Sequence, residues 1–472
     1  MWNMTTSLKS SEKPLGWIKS FLWLALAVAS FHLAYTPVNS PVAWLFIFGY
    51  AYGLVQLTDQ PNVRRAFYFG LGAGYLCYAP QLFFFWHIFS VAAIVLWLVL
   101  AFWVGLFSAI VCGSIRRWGK VKTAWLIPVA WTGLEYFRSE LYYLKFSWMN
   151  VGYALPANLN YFGMYFSGFF IIGIISAFLF WRLQTFFLIT LGMIILAMLY
   201  PAQSATKNPF RFRSSLSLVG IQMEFPPQNV IPQILNRALA KNTNAPIFVL
   251  SEYSLDGGVP DALKKWCRDH SRFLVVGGKD VVTNDVYYNT AFVVGTNGDI
   301  VFKQVKSVPI QFFHDGLPAT NQAVWNSPWG KIGICICYDL SYTRVTDELV
   351  RQGAQLIICP TMDVDYWGRH QHELHARVAP VRAAEYGIPI FRVASSGISQ
   401  AVTGGGNVVA QTSIGGYGEI FSAQLRLPRQ GSIPLDRYLA PLCSGVTGLV
   451  LALLLLLAWN DKRRAGKTSA TA

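Results

Sequence analysis

Charge is scarce in this chain, and negative charge scarcest. Of 472 residues only 13% are Asp, Glu, Lys or Arg, and 23 acidic residues face 38 basic ones. With 54% hydrophobic positions, this composition excludes a pair of wholly soluble domains and requires a membrane part. Cysteine is sparse as well. The seven (Cys77, Cys112, Cys267, Cys335, Cys337, Cys359 and Cys443) are odd in number and sit mostly inside apolar runs, which excludes a disulfide framework. There is no repeat of fixed period, and the one low-complexity segment is the polar tail from Asp461. No Gly-Lys-Ser/Thr follows Gly404-Gly-Gly406, so that stretch reads as a hairpin turn between β-branched runs and not as a phosphate loop.

What the chain has in quantity is apolar sequence, concentrated towards its ends. Seven long stretches precede residue 203, near 21–36, 41–57, 66–87, 90–113, 122–137, 160–181 and 184–200, and an eighth runs from Tyr438 to Trp459. Each approaches the ~20 residues that cross a bilayer core; the fifth is short and interrupted by Pro128. The first has lysines before it but no small-residue cleavage site after it, and reads as a retained span. Lys9, Lys13 and Lys19, Arg64 and Arg65, Arg116, Arg117, Lys120 and Lys122, and Lys462, Arg463, Arg464 and Lys467 all fall on one side if the spans alternate. The opposite short loops hold little beyond Arg138 and Lys145. The positive-inside rule then puts both termini in the cytoplasm and the segment between spans seven and eight on the outer face. The net charge of +15 is therefore a matter of orientation, not of nucleic-acid binding.

Between Ser204 and Pro434 the composition becomes that of a soluble domain. The expected organisation is an N-terminal transmembrane domain of about seven helices over 1–203, an α/β domain over 204–434, a C-terminal transmembrane helix over 435–460 and a polar cytoplasmic tail over 461–472. Strand-like runs at 216–222, 247–251, 273–278, 286–295, 332–337, 355–359 and 389–394 alternate with helix-like segments at 231–242, 261–270, 346–352 and 370–386, a layered α/β pattern.

The run Gly333-Ile-Cys-Ile-Cys-Tyr-Asp339 carries the chemistry. Read as a buried strand, it places Cys335 and Cys337 on one face, with Cys337 at the strand's exit. Taken alone, it fits a pair of buried apolar cysteines equally well. Two further strand ends add to it: Glu252 closes Phe248-Val-Leu-Ser-Glu252, and Lys306 lies in Phe302-Lys-Gln-Val-Lys-Ser-Val-Pro309. A carboxylate to take a thiol proton, a thiolate to attack a carbonyl and a fixed cation beside the developing oxyanion are what acyl transfer requires. The simpler reading of Glu252, a surface carboxylate after a strand, carries less weight given its company.

The order Glu252, Lys306, Cys337-Tyr338-Asp339 resembles the nitrilase, or carbon-nitrogen hydrolase, superfamily, whose domain is an α-β-β-α sandwich. Asp363-Val-Asp-Tyr-Trp-Gly368, Gln371-His372, Arg382-Ala-Ala-Glu-Tyr-Gly-Ile-Pro-Ile-Phe-Arg392 and Ser396-Gly-Ile-Ser399 follow that family's order. A nitrilase-like domain flanked by membrane spans is similar to the apolipoprotein N-acyltransferase family, and Trp131, Glu135, Arg138 and Phe146-Ser-Trp-Met-Asn-Val-Gly-Tyr153 resemble its loop between spans five and six. The resemblance implies a multi-pass enzyme of the bacterial inner membrane with its catalytic domain on the periplasmic face. Its partners would be a phospholipid acyl donor and a diacylated lipoprotein acceptor; neither a cofactor nor a metal is implied. Glu252 would be the base, Cys337 the nucleophile and Lys306 the oxyanion stabiliser helped by the Tyr338 N–H, with Tyr338 and Asp339 shaping the pocket.

The match has departures. The family's lysine position falls on Gln304, leaving Lys306 and Lys303 as candidates; Lys306 is preferred because it shares the face of Gln304. Where the acyltransferases carry a second glutamate this chain has Ile310-Gln-Phe-Phe-His-Asp-Gly316, with Asp315 or His314 as replacements. Asp339 stands where they have glutamate, and their tryptophan after the first strand has no obvious counterpart at 223–231. Trp148, Tyr153 and Phe83 to Trp86 read as interfacial anchors or as the lining of an acyl-chain cleft. The run His370, His372, Glu373, His375 reads as a helix start and not as a metal site; Arg382, Glu385 and Arg392 read as structural ion pairs. Two other functions share these features: a membrane-anchored amidase or nitrilase-type hydrolase, and a non-catalytic membrane binding module.

Overall fold

The computed structural model describes residues 16–35, 42–180, 212–283 and 286–469. The seventh apolar stretch, 184–200, and the expected boundary at 203/204 lie outside the described residues. Helices α1 (Trp17–Tyr35), α2 (Phe46–Leu57), α3 (Val63–Gln81), α4 (Phe84–Phe89), α5 (Ala92–Trp118), α6 (Lys120–Tyr136) and α7 (Met164–Phe180) come first. Large apolar side chains on their outer faces, such as Ile18, Leu22 and Val95, are exposed, which a soluble protein would not tolerate in this density.

The apolar stretches and the helices do not coincide throughout. The stretch expected at 66–87 is two elements: α3 ends at Gln81, and the chain turns into the one-and-a-half-turn α4 before Ser90, whose φ is +49°. By length and hydropathy α1, α5 and the C-terminal helix α13 (Asp436–Ser469) are long and apolar enough to cross a membrane, while α2 and α7 are shorter apolar helices. Composition explains α3. It is built for a helical neighbour as much as for lipid: a Cβ on Gly70 would lie 2.7 Å from the Val104 carbonyl oxygen, and one on Gly74 2.8 Å from the Ala101 Cα. Small residues four apart let two backbones approach in a membrane.

The strands form two six-stranded sheets. The first contains β1 (Phe212–Met223), β2 (Ile247–Leu250), β3 (Phe273–Thr283), β4 (Val286–Val294) and β5 (Ile300–Val305). The second contains β6 (Val324–Ser327), β7 (Gly330–Ile334), β8 (Leu356–Thr361), β9 (Ile390–Ala394), β10 (Gln400–Val402) and β11 (Val408–Gln411). The long β12 (Tyr417–Pro428) returns to the first sheet beside β1, giving the orders β12-β1-β2-β3-β4-β5 and β11-β10-β9-β8-β7-β6. Between the sheets lie Leu218, Val249, Val275, Ile334 and Ile358, with Phe391 of one sheet stacked on Phe421 of the other at 4.9 Å.

Helices α8 (Ile231–Lys241) and α9 (Asp261–His270) cover the outside of the first sheet through Leu235 and Trp266. Helices α10 (Thr343–Arg351), α11 (Arg369–Ala376) and α12 (Val378–Tyr386) cover the second. The result is an α-β-β-α sandwich on a helical membrane part. The helix layer over the second sheet is not free: Leu349, Val378, Val381 and Tyr386 belong to one continuous apolar cluster with Tyr50, Trp131, Trp148 and Tyr165 of the membrane part.

Two expectations fail locally. The helix expected over 370–386 breaks at Arg377 into α11 and α12. The strand expected to run through 337 stops at Ile334, and Cys335 and Cys337 then pack in different apolar layers, Cys335 outside the sheet and Cys337 between the sheets. The strict alternation that would put them on one face is lost because Cys337 turns to φ +53°.

Candidate active site

That turn is the first feature of the site. Cys337 opens a short 3-10 turn, Cys337–Ser341, directly beyond β7. A non-glycine residue in the left-handed region costs on the order of 1–2 kcal/mol, so something must hold it there. The Asp339 carboxylate does, accepting the N–H of Ile336 at 3.2 Å before the turn and those of Ser307 at 3.0 Å and Val308 at 2.7 Å from the segment after β5. One buried carboxylate thus ties the cysteine turn to the strand end that carries Lys306. Burial pushes the Asp339 pKa up to about 6, and the three N–H groups and Lys306 oppose it.

Glu252 follows β2 and is buried. Its Oε1 accepts from Lys306 Nζ at 2.8 Å and Asn289 Nδ2 at 2.6 Å, and its Oε2 from the Met362 N–H at 2.7 Å. Lys306 is buried between two carboxylates, reaching Asp315 Oδ2 at 2.7 Å on its other side. Asp315 also accepts from the Tyr253 hydroxyl at 2.8 Å, Asn289 Nδ2 at 2.9 Å and the Ile310 N–H at 2.8 Å. Cys337 Sγ lies 3.5 Å from the Met362 carbonyl oxygen, beside the same residue whose N–H holds Glu252.

The electrostatics assign different states to these groups. Burial alone would raise the Asp315 carboxyl, but Lys306 and its hydrogen bonds outweigh that and hold it below the usual range. Burial raises the Glu252 carboxyl, the Asp315 charge adds to the shift, and Lys306 offsets only part of it. Burial lowers Lys306, yet the two carboxylates carry it well above its ordinary value. Burial and then the Glu252 charge push the Cys337 thiol well up, with Lys306 opposing. The resting state combines a neutral thiol with a carboxylate of unusual affinity for a proton and a lysine that stays charged.

Cys337 lines a cleft of about 110 Å³ between the two parts of the molecule. One wall comes from the N-terminal helices: Phe84, Phe85, Ile88 and Phe89 of α4, and Leu96 and Leu100 of the long apolar α5. The other comes from the 310–313 loop, Tyr338 and Trp367. Ring contacts close its edges, Phe85 on Phe146 at 5.4 Å and Phe89 on Phe313 at 5.7 Å. An apolar wall of this kind suits an alkyl chain.

Residues 25–177 match the family model described as apolipoprotein N-acyltransferase N-terminal domain, and residues 225–429 match carbon-nitrogen hydrolase. The chain belongs to the apolipoprotein N-acyltransferase family. It is 22% identical over 443 residues to an apolipoprotein N-acyltransferase of Geobacter metallireducens, covering 80% of this chain and 84% of that one. A shorter similarity, 28% over 123 residues, joins it to a deaminated glutathione amidase of Dictyostelium discoideum, covering 22% and 41% of the two chains. Among solved structures, the carbon-nitrogen hydrolase from Helicobacter pylori G27 is similar at 17% identity and a TM-score of 0.40, covering 52% of this chain and 94% of that one.

Against the family pattern, the described residues separate the alternatives left open at the lysine and the second acid. Lys303 is exposed, 2.8 Å from Asp280; Lys306 is the buried one. His314 packs its ring on Tyr287 at 5.4 Å, while Asp315 holds the lysine. Trp148 lines the cleft, donates from Nε1 to Ser341 Oγ at 3.0 Å and stacks on His375 at 4.6 Å. Tyr338 donates to the Lys145 carbonyl oxygen at 2.9 Å and meets Trp148 edge-on. The 370–375 histidines diverge: His370 pairs with Gln81 at 2.7 Å and His375 with Asp363 at 2.7 Å, and among the described residues no set of three or more His, Cys, Asp or Glu is arranged to hold a metal ion.

Asn289 and the Met362 N–H were not anticipated. Asn289 had a signal in the sequence, an amide inside the β-branched and aromatic run of β4, where a buried polar side chain needs a partner. The Met362 N–H had none, because any residue supplies one.

Proposed function

We propose that this chain is a membrane N-acyltransferase that moves an acyl chain from a phospholipid, through a thioester on Cys337, to the N-terminal amine of a diacylglyceryl-cysteine lipoprotein. The observation that carries this reading is a buried thiol under the charges of Glu252 and Lys306, at a cleft walled on one side by Phe84, Phe85, Ile88 and Phe89 of α4 and Leu96 and Leu100 of α5. Family membership agrees with it, and so does the long similarity to the Geobacter protein.

In the first half-reaction Glu252 takes the Cys337 proton as the sulfur attacks the donor ester carbonyl. Lys306, helped by the Tyr338 N–H, stabilises the oxyanion, an effect typically worth ~3–4 kcal/mol of barrier. Glu252 then returns the proton to the departing lysophospholipid alkoxide, leaving the thioester. In the second half the acceptor amine attacks the thioester. Asp315 keeps Lys306 charged, and Asp339 holds the cysteine turn against the lysine strand end.

Both substrates are lipid-tethered, so a site walled by membrane helices raises their effective concentration without drawing either out of the bilayer. Exclusion of water from an aromatic-walled cleft favours aminolysis over hydrolysis. The organisation that goes with this reading is residues 1–203 and 435–460 in the inner membrane, both termini cytoplasmic, and 204–434 on the periplasmic face.

The purified protein incubated with phospholipid vesicles and a synthetic diacylglyceryl-cysteinyl peptide should yield N-acylated peptide. Free fatty acid with no N-acylated peptide would instead identify a membrane-anchored hydrolase. Absence of any acyl adduct on Cys337 would favour a binding module.

A further inference from the structure

A second polar cluster borders the same cleft, and the roles above leave it unused. Asp363 is fully buried and follows Met362, whose carbonyl oxygen lies against Cys337 Sγ. It accepts from His375 Nδ1 at 2.7 Å, from Gln371 Nε2 at 3.0 Å and from the Arg392 guanidinium. Burial would raise its carboxyl, but His375 and Arg392 hold it well below the usual range. An ionised carboxylate only accepts, so these bonds fix both neighbours. His375 carries its proton on Nδ1, leaving Nε2 with a lone pair. The Gln371 amide has its nitrogen on Asp363, leaving Oε1 free.

Gln371 and His375 are four apart on α11 and therefore share a face. Both are nearly fully buried, both line the cleft with Cys337, and among the described residues neither His375 Nε2 nor Gln371 Oε1 has a partner. A buried acceptor without a donor costs about 1–3 kcal/mol. Two of them, oriented by one carboxylate beside a nucleophile, await a ligand with several N–H groups. Trp148, stacked on the His375 ring at 4.6 Å, fixes the plane of that imidazole.

The geometry points to Gln371 Oε1 and His375 Nε2 as the seat of the acceptor's primary ammonium, with His375 the base that takes its first proton in the second half-reaction. This rests on the acyltransferase reading above. Proton counting supports it. An α-amine with an ordinary pKa of about 7.7–8.0 is mostly ammonium at neutral pH, and its nitrogen loses two protons in becoming an amide N–H. Glu252 has room for one. Lys306 holds its own proton, paired to two carboxylates.

His375 takes the other. Burial lowers its pKa and Asp363 only partly restores it, with Arg392 and His372 the further charged or titratable groups acting on it; the ring is therefore neutral and able to accept. The freed amine bonds to the thioester carbonyl carbon, and the C–S bond breaks with its electron pair leaving on the Cys337 sulfur. The nitrogen's second proton passes through Glu252 to that sulfur, and the imidazolium releases the first to solvent. Asp363 acts through His375 and Gln371 and is a positioning residue.

The test separates the half-reactions in the full-length protein. Wild type and His375→Gln are loaded from phosphatidylethanolamine vesicles, the Cys337 adduct is followed by intact mass, and the diacylglyceryl-cysteinyl peptide is then added for a single turnover. His375→Gln should load at close to the wild-type rate and clear to N-acyl peptide about 100-fold more slowly near neutral pH. That deficit should shrink at a pH about one unit above the amine's own value, where the amine arrives neutral. Gln371→Leu, which keeps the imidazole, should raise the peptide concentration needed for half-maximal clearance. Unchanged clearance in His375→Gln, an equal loss in both half-reactions, or a deficit insensitive to pH would overturn the assignment. A wild type that never loads fails the acyltransferase reading instead, which is a separate outcome.

Discussion

At the scale of single residues, the site is a set of buried charges that hold one another. Lys306 sits between Glu252 and Asp315, so Lys306→Met leaves two carboxylates facing each other with no cation; a loss of about 3–5 kcal/mol is expected, read as a lower unfolding midpoint in detergent along with lost activity. Lys303→Met removes only an exposed pair and should cost under ~1 kcal/mol with activity kept. Equal effects of the two would contradict the assignment of Lys306. Cys337→Ala should abolish the acyl adduct without lowering the unfolding midpoint, and in cells depleted of their own acyltransferase only the wild-type chain should restore growth.

The Glu252 pKa is raised in the folded protein by burial and the Asp315 charge, and the proposed mechanism needs this group as carboxylate. Activity should therefore be lost as pH falls through that raised value, at a pH above the ~4.3 of an ordinary glutamate. A loading-rate profile flat down to ordinary carboxylate pH would remove Glu252 from the role of base.

At the scale of elements, two breaks build the cleft. The turn between α3 and α4 brings Phe84, Phe85 and Phe89 into its wall, and the halt of β7 at Ile334 turns Cys337 towards it. Hydropathy does not register a reversal within an apolar stretch, so the first break shows only in Pro80 and Gln81 at the end of α3, and nothing between Ile334 and Cys337 marks the second. The α3/α5 contact, by contrast, was written in small residues. Gly74→Leu would force a side chain into the Ala101 backbone and should destabilise by several kcal/mol, beyond the ~1–3 kcal/mol of ordinary overpacking, because backbone cannot yield as a rotamer can. Thermal unfolding followed by helical signal measures it, and a loss below ~1 kcal/mol would show that the helices can separate to make room.

At the scale of the whole molecule, the sandwich and the membrane helices share one apolar cluster, so the α/β part is incomplete alone. Residues 204–434 expressed by themselves should expose Leu349, Val378 and Val381 and aggregate; a soluble, cooperatively folding fragment would contradict this. The class of architecture was legible in the chain. Long apolar runs at both ends around a strand-and-helix middle admit few other solutions, because backbone polar groups in lipid must be satisfied within helices or closed barrels. The burial of Glu252, Lys306 and Cys337, and the exposure of Lys303, agree with what strand ends and the period of two suggested for these positions.

Tertiary structure alone decided the rest. It decided that Asp315 and not His314 meets the lysine, that Cys335 and Cys337 part into different layers, and that Gln371 and His375, both bonded to the buried Asp363, face the same cleft as Cys337. Periodicity reports which face of its own element a side chain occupies, but whether two faces meet depends on how separate elements pack, and no local pattern carries that information.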